Sequence, residues 1–379
     1  MDNQWYKRYL ESSHHGFLKK GKVSLLYGPR RVGKTELIKK IISNYSGRIF
    51  TGTGDNVEIS ELLSSQRLSQ LEMAFGNYQL IFIDEAQRIP NIGHGLKLLI
   101  DSFPDITIIA SGSSSFDLFN KTGEPLTGRQ ITRTLYPISV MELHDQFGGM
   151  DVIQKLESLL IYGSYPEVLT NLGVDDKKEY LTTIRNSYLF KDILELDNIK
   201  NPSKLTDLLR LLAYQIGHEV SINELSNNLG ISKHSVERLL DLLEKTFIIK
   251  KVGGFSRNLR KEITKTSRYY FWDNGIRNAL INNFNALNTR NDTGMLWENF
   301  LFMERIKTKA YKRIYSNDFF WRTYDRQEID LIEERDGNLF AYEFKWNKPN
   351  ARAPKAFINA YPDALFKVIS KDNFLEFLV

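Results

Sequence analysis

Apolar runs and helical patterns alternate along the first 110 residues. Val23 to Tyr27, Leu80 to Ile83 and Ile106 to Ala110 are short apolar runs, which are typical of buried strands. Between them, Glu36 to Tyr45 and Gly93 to Phe103 place apolar residues at helical spacing. Strands that alternate with helices predict an α/β fold with a parallel sheet and crossover helices.

The middle of the chain has helical patterns. Asp151 to Asp197 is helical with a break at GSYPEVL, and we interpret it as a lid or connector. KLTDLLRLLAYQIG is an amphipathic helix that ends at Gly217, and SINELSNNLG is a short helix capped by Ser221 and closed by Gly230. A third helix starts after Ser232.

Two helices joined by a short glycine turn are typical of a helix-turn-helix. FIIKKVGGF and the strand from Tyr269 to Trp272 would supply a wing, so a winged helix is predicted for residues 201–285. In that interpretation the third helix faces DNA with four side chains, Lys233, His234, Ser235 and Arg238. The alternative is a module that contacts protein.

Asp336-Gly337 is a two-residue hairpin signal between alternating runs. With that turn, one face of the hairpin is apolar and the other is charged. The facing pairs would be Leu331 with Tyr342, Ile329 with Phe344, Asp330 with Glu343, and Glu328 with Lys345. Opposed carboxylates are destabilising unless something neutralises them, and a divalent metal or Lys345 would do so. The alternative is an ordinary hairpin with a solvated polar face.

Composition limits the class of protein. The chain has 379 residues, 42% hydrophobic and 26% charged, which predicts a folded protein of about three domains. No cysteine occurs, which excludes disulfides and thiolate zinc sites. No apolar run is long enough to span a membrane, and MDNQWYKRYLESSHH has no signal-peptide core, so we expect a cytoplasmic location and no membrane partner.

The formal net charge of +5 favours polyanionic partners only weakly, but its distribution is uneven. A basic run, opposed only by Glu262, consists of Lys250, Lys251, Arg257, Arg260, Lys261, Lys265 and Arg268. A run of this kind on a wing would contact phosphates without reading bases, which favours DNA as a partner. A solvated charged face is the alternative.

GPRRVGKT connects the first apolar run to the first helical pattern. It matches the phosphate-binding pattern G-x-x-x-x-G-K-[ST] in the strand, loop and helix setting that the pattern requires. The residues predicted to bind ATP are Gly28, Pro29, Arg30, Arg31, Val32, Gly33, Lys34 and Thr35. We expect Lys34 to reach the β- and γ-phosphates and Thr35 to bind Mg²⁺.

Two acids end the run LIFIDE. We expect Asp84 to contribute to the Mg²⁺ site and Glu85 to polarise an attacking water, which favours hydrolysis over binding alone. In SGSSS, Ser113 or Ser114 could contact the γ-phosphate or the water, or simply cap a helix. Arg129 and Arg133 could stabilise charge in cis or across a subunit interface, or be ordinary surface residues.

These motifs together resemble a known family. GPRRVGKT, LIFIDEAQ, ASGSSS and GEPLTGRQITRTLYPISVMEL look like prokaryotic AAA-type ATPases that carry a C-terminal domain of unknown function resembling restriction endonucleases. YGSYPEVL, DNGIRNALI and LWENF are also similar to that family. The resemblance implies an AAA-type P-loop ATPase domain at 1–150, a connector at 151–200, a winged helix at 201–285 and an α/β restriction-endonuclease-like domain at 286–379.

The resemblance extends to a possible second site. Glu298, Asp330, Glu343 and Lys345 are similar to the active-site pattern of restriction-endonuclease-like nucleases. That similarity implies that Asp330 and Glu343 hold Mg²⁺, Glu298 adds a ligand and Lys345 orients water or stabilises the phosphorane. We therefore expect an ATPase that couples its nucleotide state to DNA binding and a nuclease. The alternative is an ATP-dependent scaffold, with a silent nuclease-like domain, that binds protein partners or further copies of itself.

Overall fold

The computed structural model describes residues 5–12, 16–113, 126–170, 173–187, 202–256, 267–323, 327–347 and 351–379. The chain divides into two compact units. The first unit contains Lys7–Tyr136 and Lys245–Phe247, and the second contains Met1–Tyr6, Pro137–Glu244 and Ile248–Val379. Among the described residues, no helix has both the length and the apolar character needed to cross a membrane.

The first unit contains a five-stranded parallel sheet, as the alternating pattern predicts. Its strands are β1 (Lys22–Tyr27), β2 (Ile49–Thr53), β3 (Leu80–Asp84), β4 (Thr107–Ser111) and β5 (Gln130–Thr134). The helices are α1 (Tyr9–Ser12), α2 (Lys34–Ile42), α3 (Val57–Ser64), α4 (Leu68–Phe75) and α5 (Ile92–Ser102). The strand order is β2-β3-β4-β1-β5, so the ends of β1 and β3 lie on either side of β4.

The apolar runs of β1, β3 and β4 form the centre of the first unit. Ile81, Ile83 and Ile108 are fully buried and pack in one cluster with Leu63 of α3 and Leu96 of α5. A strand in the middle of a parallel sheet is covered on both faces, so its sequence is continuously apolar rather than alternating.

The second unit begins with helices, and the helical segment predicted after Asp151 is present. These helices are α6 (Val140–Phe147), α7 (Gly149–Tyr162), α8 (Pro166–Leu169) and α9 (Val174–Ser187). Residues 188–197 of that prediction lie outside the described residues. The break at GSYPEVL occurs because Gly163 has a φ of 75° and contacts Asp273, which accepts a 2.7 Å hydrogen bond from the Ser164 amide.

A three-helix segment follows, with its elements in the predicted order. They are α10 (Pro202–Tyr214), β6 (Glu219–Val220), α11 (Ile222–Leu229), α12 (Lys233–Lys245), β7 (Ile249–Gly254) and β8 (Ser267–Phe271). Ser221 caps α11 through the Glu224 amide at 3.3 Å, and Ser232 accepts from the Ser235 amide at 3.1 Å. Gly230 ends α11 with a φ of 63°, a left-handed conformation that glycine adopts without strain.

The remaining elements extend the same sheet. They are α13 (Asn274–Leu280), α14 (Thr293–Lys312), β9 (Asn317–Arg322), β10 (Glu328–Arg335), β11 (Asn338–Phe344), α15 (Lys355–Ala360), β12 (Leu365–Ile369) and α16 (Phe374–Leu378). The strand order is β12-β11-β10-β9-β7-β8-β6. Gly253 of β7 pairs in parallel with Phe319 of β9. The predicted boundary between 285 and 286 therefore does not separate two sheets, because hydrogen bonds join strands from both sides of it.

The β10–β11 hairpin has the predicted register. Asp336 and Gly337 have φ values of 50° and 76°, as a type I′ turn requires, and Leu331 pairs with Tyr342. The alternative of an ordinary hairpin with a solvated polar face does not hold, because Ile332 and Ala341 are fully buried on the face opposite Leu331. Asp330 and Glu343 are also buried, at 5% and 8% exposure. Both faces of the hairpin are covered.

Candidate functional site

The loop between β1 and α2 depends on glycine. Gly28 has a φ of 147°, and a Cβ atom there would lie 2.0 Å from the carbonyl oxygen of Leu135. Gly33 has a φ of 90° and precedes the first residue of α2. These conformations place the loop directly before a helix N-terminus, where free amides and the helix dipole favour an anion.

Lys34 occupies the interior of this loop. Its side chain is buried, and its Nζ atom donates to the carbonyl oxygens of Gly28 at 2.9 Å and Pro29 at 2.8 Å. Pro29 and Val32 are buried, Gly33 and Arg30 are half-buried and Arg31 is exposed. The ammonium is therefore held at the point where the loop could receive phosphate oxygens.

Thr35 and Asp84 meet at the sheet edge. The Thr35 hydroxyl donates to Asp84 Oδ2 at 2.6 Å, and the Ser111 hydroxyl donates to Asp84 Oδ1. Asp84 ends β3, whereas Thr35 lies in the first turn of α2. A hydroxyl and a carboxylate beside a phosphate-binding loop are the hard oxygen donors that Mg²⁺ prefers, so these residues fit the ion.

Glu85 is held by a side chain that the motif did not indicate. Its backbone is left-handed, with a φ of 47°, and its Oε2 atom accepts a hydrogen bond from Gln87 Nε2. The same Gln87 nitrogen donates to Ser113 Oγ at 3.2 Å. Ser113 is buried, whereas Ser114 lies outside the described residues. Glu85, Gln87 and Ser113 thus form one connected group next to Asp84.

A second group of charged residues lies in the other unit. Arg268 of β8 extends among acids from α14 and β10, and only 3% of its side chain is exposed. Its Nη1 atom is 3.3 Å from Glu298 and 4.0 Å from Asp330, and its Nη2 atom is 2.9 Å from Glu328. The guanidinium therefore lies between Glu328 and two carboxylates, Glu298 and Asp330, that the family resemblance assigned to a metal.

The other contacts of these acids are also internal. Tyr270 donates its hydroxyl to Glu298 at 2.7 Å, and the Phe344 amide donates to Asp330 Oδ2 at 2.7 Å. Lys345 Nζ lies 2.6 Å from Glu343 Oε1, while Glu343 Oε2 is buried without a hydrogen-bond partner.

Burial disfavours the charged forms of these acids. It raises the pKa of Asp330 well above the ordinary value, and the nearby Glu298 and Glu343 raise it further. Burial also raises the pKa of Glu298, despite the opposing effect of Arg268. For Arg268 itself, burial lowers the pKa, but Tyr270 and the surrounding carboxylates raise it above its ordinary value. The surroundings therefore favour the charged form of the Arg268 guanidinium and the neutral forms of Asp330 and Glu298.

The arrangement differs from the predicted metal site. Among the residues that the structure describes, no three acidic or histidine side chains are placed to hold a metal ion together. The structure does not bring Glu298, Asp330 and Glu343 together in this way, because the Arg268 guanidinium lies among the carboxylates.

Comparison with known families supports the first site. Residues 20–144 match a family model described as AAA domain. The match spans the loop, Thr35, Asp84 and Glu85. We refer to residues 20–144 as the AAA domain, after this match. Two further matches, 153–287 and 293–375, are to domains of unknown function (DUF8612 and DUF4143).

Similar whole proteins exist in bacteria and archaea. An uncharacterised protein of Mycobacterium tuberculosis is 25% identical over 332 residues, which is 86% of this chain and 71% of the relative. An uncharacterised protein of Methanocaldococcus jannaschii is 23% identical over 366 residues, covering 90% and 79%. The RuvB Holliday junction branch migration motor of Thermotoga maritima is 19% identical over 64% of this chain and 85% of that chain, with a TM-score of 0.31. A similarity that low supports no conclusion about this chain.

Arg129 does not lie at the nucleotide end of the AAA domain. Its carbonyl accepts from the Val23 amide at 2.9 Å, at the start of β1, whereas the loop follows the other end of that strand. Its side chain pairs with Asp101. The prediction that Arg129 binds the cofactor within its own chain is therefore wrong. Arg133 lies in β5 and donates to the Thr132 carbonyl at 2.8 Å.

The first unit also contains two residues near the candidate site that sequence reasoning missed. Arg8 is buried and donates to the carbonyls of Val32 at 2.7 Å and Tyr136 at 2.6 Å, so it braces the loop from outside. No local motif marks Arg8, because its partners are distant in sequence. Gln87, in contrast, follows Glu85 by two residues, and a polar residue so close to the acid was a usable signal.

The residues predicted to face DNA divide into two groups. On α12, Lys233, His234 and Arg238 are exposed and Ser235 is half-buried. The basic run is less available than predicted, because Arg268 is buried and Lys250 pairs with Glu244 at 2.8 Å. Lys251 is exposed, and the remaining members, Arg257, Arg260, Lys261 and Lys265, lie outside the described residues together with Glu262.

Proposed function

We propose that this protein binds ATP and hydrolyses it in the AAA domain. The observation that carries the proposal is the 2.6 Å hydrogen bond between Thr35 and Asp84, with Glu85 as the next residue. It joins the end of the phosphate-binding loop to the strand-end acids, which is the arrangement that phosphoryl transfer to water requires.

Each residue has a role in this proposal. The amides of the loop and the Lys34 ammonium would bind the β- and γ-phosphates. Thr35 and Asp84 would hold Mg²⁺, which supplies neutralisation of the phosphate charge. Glu85 would orient the attacking water and accept its proton, with Gln87 fixing its carboxylate.

Two substitutions test the hydrolysis proposal. Lys34→Ala should abolish ATP binding, because the Lys34 ammonium is the cation buried inside the loop. Glu85→Gln should still bind ATP but lose turnover by about 10²- to 10⁴-fold, because an amide cannot accept the proton. Lys39→Ala is the matched control, since Lys39 lies on the same helix and pairs at the surface with Glu36. Full turnover in Glu85→Gln would contradict the assignment of the base.

We propose that residues 201–285 are a winged helix that binds DNA. The observation that favours this function is the exposure of Lys233, His234 and Arg238 at the start of α12, after a glycine-closed helix. The affinity for duplex DNA should fall steeply with salt, and Lys233→Ala should reduce the slope of log K against log salt by about 1. Lys178→Ala, an exposed lysine on α9, is the control.

An affinity that does not change with salt would favour the scaffold function, in which the same surface binds protein. For the C-terminal segment we propose the silent form, because Arg268 lies among the acids that nuclease chemistry would need. Duplex DNA incubated with Mn²⁺ should remain uncut both with the wild-type protein and with the Asp330→Ala protein. Cleavage lost in Asp330→Ala and Lys345→Ala would restore the nuclease function.

A further inference from the structure

We propose that Arg268 is the resident cation of the C-terminal acidic cluster and occupies the position that a divalent metal would need. The cluster consists of Glu298, Glu328, Asp330 and Glu343. This inference deepens the silent form proposed above and is independent of ATP hydrolysis.

The guanidinium has the right chemistry for this position. It is planar, permanently charged and carries several donors in a fixed fork, so it can serve carboxylates on different elements at once. Its Nη1 atom faces Glu298 and Asp330, at 3.3 Å and 4.0 Å, while Nη2 faces Glu328 at 2.9 Å. One side chain thus reaches Glu298 of α14 and both Glu328 and Asp330 of β10.

Arg268 is also held in place by its surroundings. On β8 it pairs with Val252 of β7 on one side and Glu219 of β6 on the other. Its guanidinium carbon lies 4.5 Å from the centre of the Phe320 ring on β9. Moving this side chain out of the cluster would leave buried acids without their cation and break a cation–π contact, so the guanidinium is a fixed part of the fold.

The charge balance favours one cation of this kind over a metal. Lys345 pairs with Glu343, and Arg268 serves the other three acids. A dication placed among the same oxygens would lie close to the guanidinium at low dielectric, where repulsion between like charges is strong.

Arg268 therefore joins two segments of the chain. It lies within the segment matched at 153–287, whereas Glu298, Glu328 and Asp330 lie within the segment matched at 293–375. The ion pairs of the cluster connect β8 to α14 and β10, which follow it in the chain.

Manganese binding to the full chain tests the proposal directly. Two proteins would be compared without nucleotide: Thr35→Ala, which lacks the ATP-site donor, and Thr35→Ala combined with Asp330→Asn. Mn²⁺ would be titrated into each, and free Mn²⁺ would be measured by electron paramagnetic resonance. We expect equal numbers of bound ions in both proteins. One additional ion in the Asp330-containing protein would overturn the proposal. An additional Mn²⁺ ion without DNA cleavage would overturn only the role proposed for Arg268. An additional ion with DNA cleavage would also overturn the proposal that the nuclease-like segment is silent.

A thermal unfolding cycle gives an independent test. Arg268→Met should lower the melting temperature by at least about 5 °C, because buried carboxylates lose their cation. Adding Glu298→Gln and Asp330→Asn should recover part of that loss. Arg322→Met, which removes a half-exposed ion pair between Arg322 of β9 and Glu219 of β6, should have a smaller effect. Failure of the neutralised acids to recover any stability would overturn the proposal, and the manganese comparison stands even if Arg268→Met does not fold.

Discussion

Gln87 shows how a single side chain can set the geometry of a catalytic group. It donates to both Glu85 and Ser113, so the proposed base and the polar end of β4 share one partner. The loop residues and the Asp84–Glu85 pair could be predicted because a spacing pattern specifies them. The contacts of Gln87 and Arg8 could not, since they depend on how separate segments meet.

We expect Gln87→Ala to lower the turnover number of ATP hydrolysis by about 10- to 100-fold with little change in KM. The reason is that the hydrogen bonds of Gln87 in the described structure go to Glu85 and Ser113, and small misplacements of a base are costly. Steady-state kinetics would measure this. Gln70→Ala, at an exposed position of α4, is the control. A change confined to KM would contradict a positioning role.

Two glycines with positive φ provide a matched pair of substitutions. A Cβ at Gly28 would lie 2.0 Å from a backbone oxygen, whereas a Cβ at Gly128, with a φ of 71°, meets nothing within 4 Å. Gly28→Ala should therefore abolish ATP binding, while Gly128→Ala should cost only about 1 kcal/mol of unfolding free energy and leave binding intact. Equal effects on binding would show that the close approach at Leu135 is unimportant.

At the scale of elements, hydrophobic periodicity predicted the strands and their register, but it did not predict the surroundings of the charged residues. The apolar runs of the parallel sheet and the register of the β10–β11 hairpin were both predicted, because buried strands and a two-residue turn leave local signals. The burial of Asp330 and Glu343 was not, because alternation cannot tell whether a charged face is covered. That cover comes from α14 and β8, which are distant in sequence.

The buried acids should make stability depend on pH. The folded-state pKa of Asp330 lies well above 3.8, so the folded chain holds a proton that the unfolded chain releases. The stabilisation that this proton gives is fully present below the pKa of Asp330 in the unfolded chain. It is lost as pH rises through the pKa of Asp330 in the folded chain. Urea unfolding from pH 4 upward should therefore show wild type losing stability relative to Asp330→Asn. Parallel curves for the two proteins would contradict the raised pKa.

At the scale of the whole molecule, sequence families and compact units divide the chain differently. Matches at 153–287 and 293–375 suggest separate modules, yet both segments contribute strands to one seven-stranded sheet within a single unit. Sequence patterns could not predict the join, because the pairing of Gly253 with Phe319 involves no turn or motif.

We expect the two segments to unfold together. Hydrogen exchange measured by mass spectrometry at increasing urea should show peptides from β7 and β9 losing protection at the same concentration, because each strand hydrogen-bonds the other. Peptides from β3 in the AAA domain provide the comparison. Earlier loss of protection in β9 than in β7 would mean that the joint sheet is not cooperative.

The position of Arg268 also provides a way to search among relatives. A tethered cation is encoded by one codon, so a single substitution can remove it while leaving every acid in place. A relative that keeps the carboxylates at the positions of Glu298, Asp330 and Glu343 but carries a small neutral residue at that of Arg268 would have a vacant, negatively charged pocket. Such a protein is the one in which metal-dependent chemistry should be sought first.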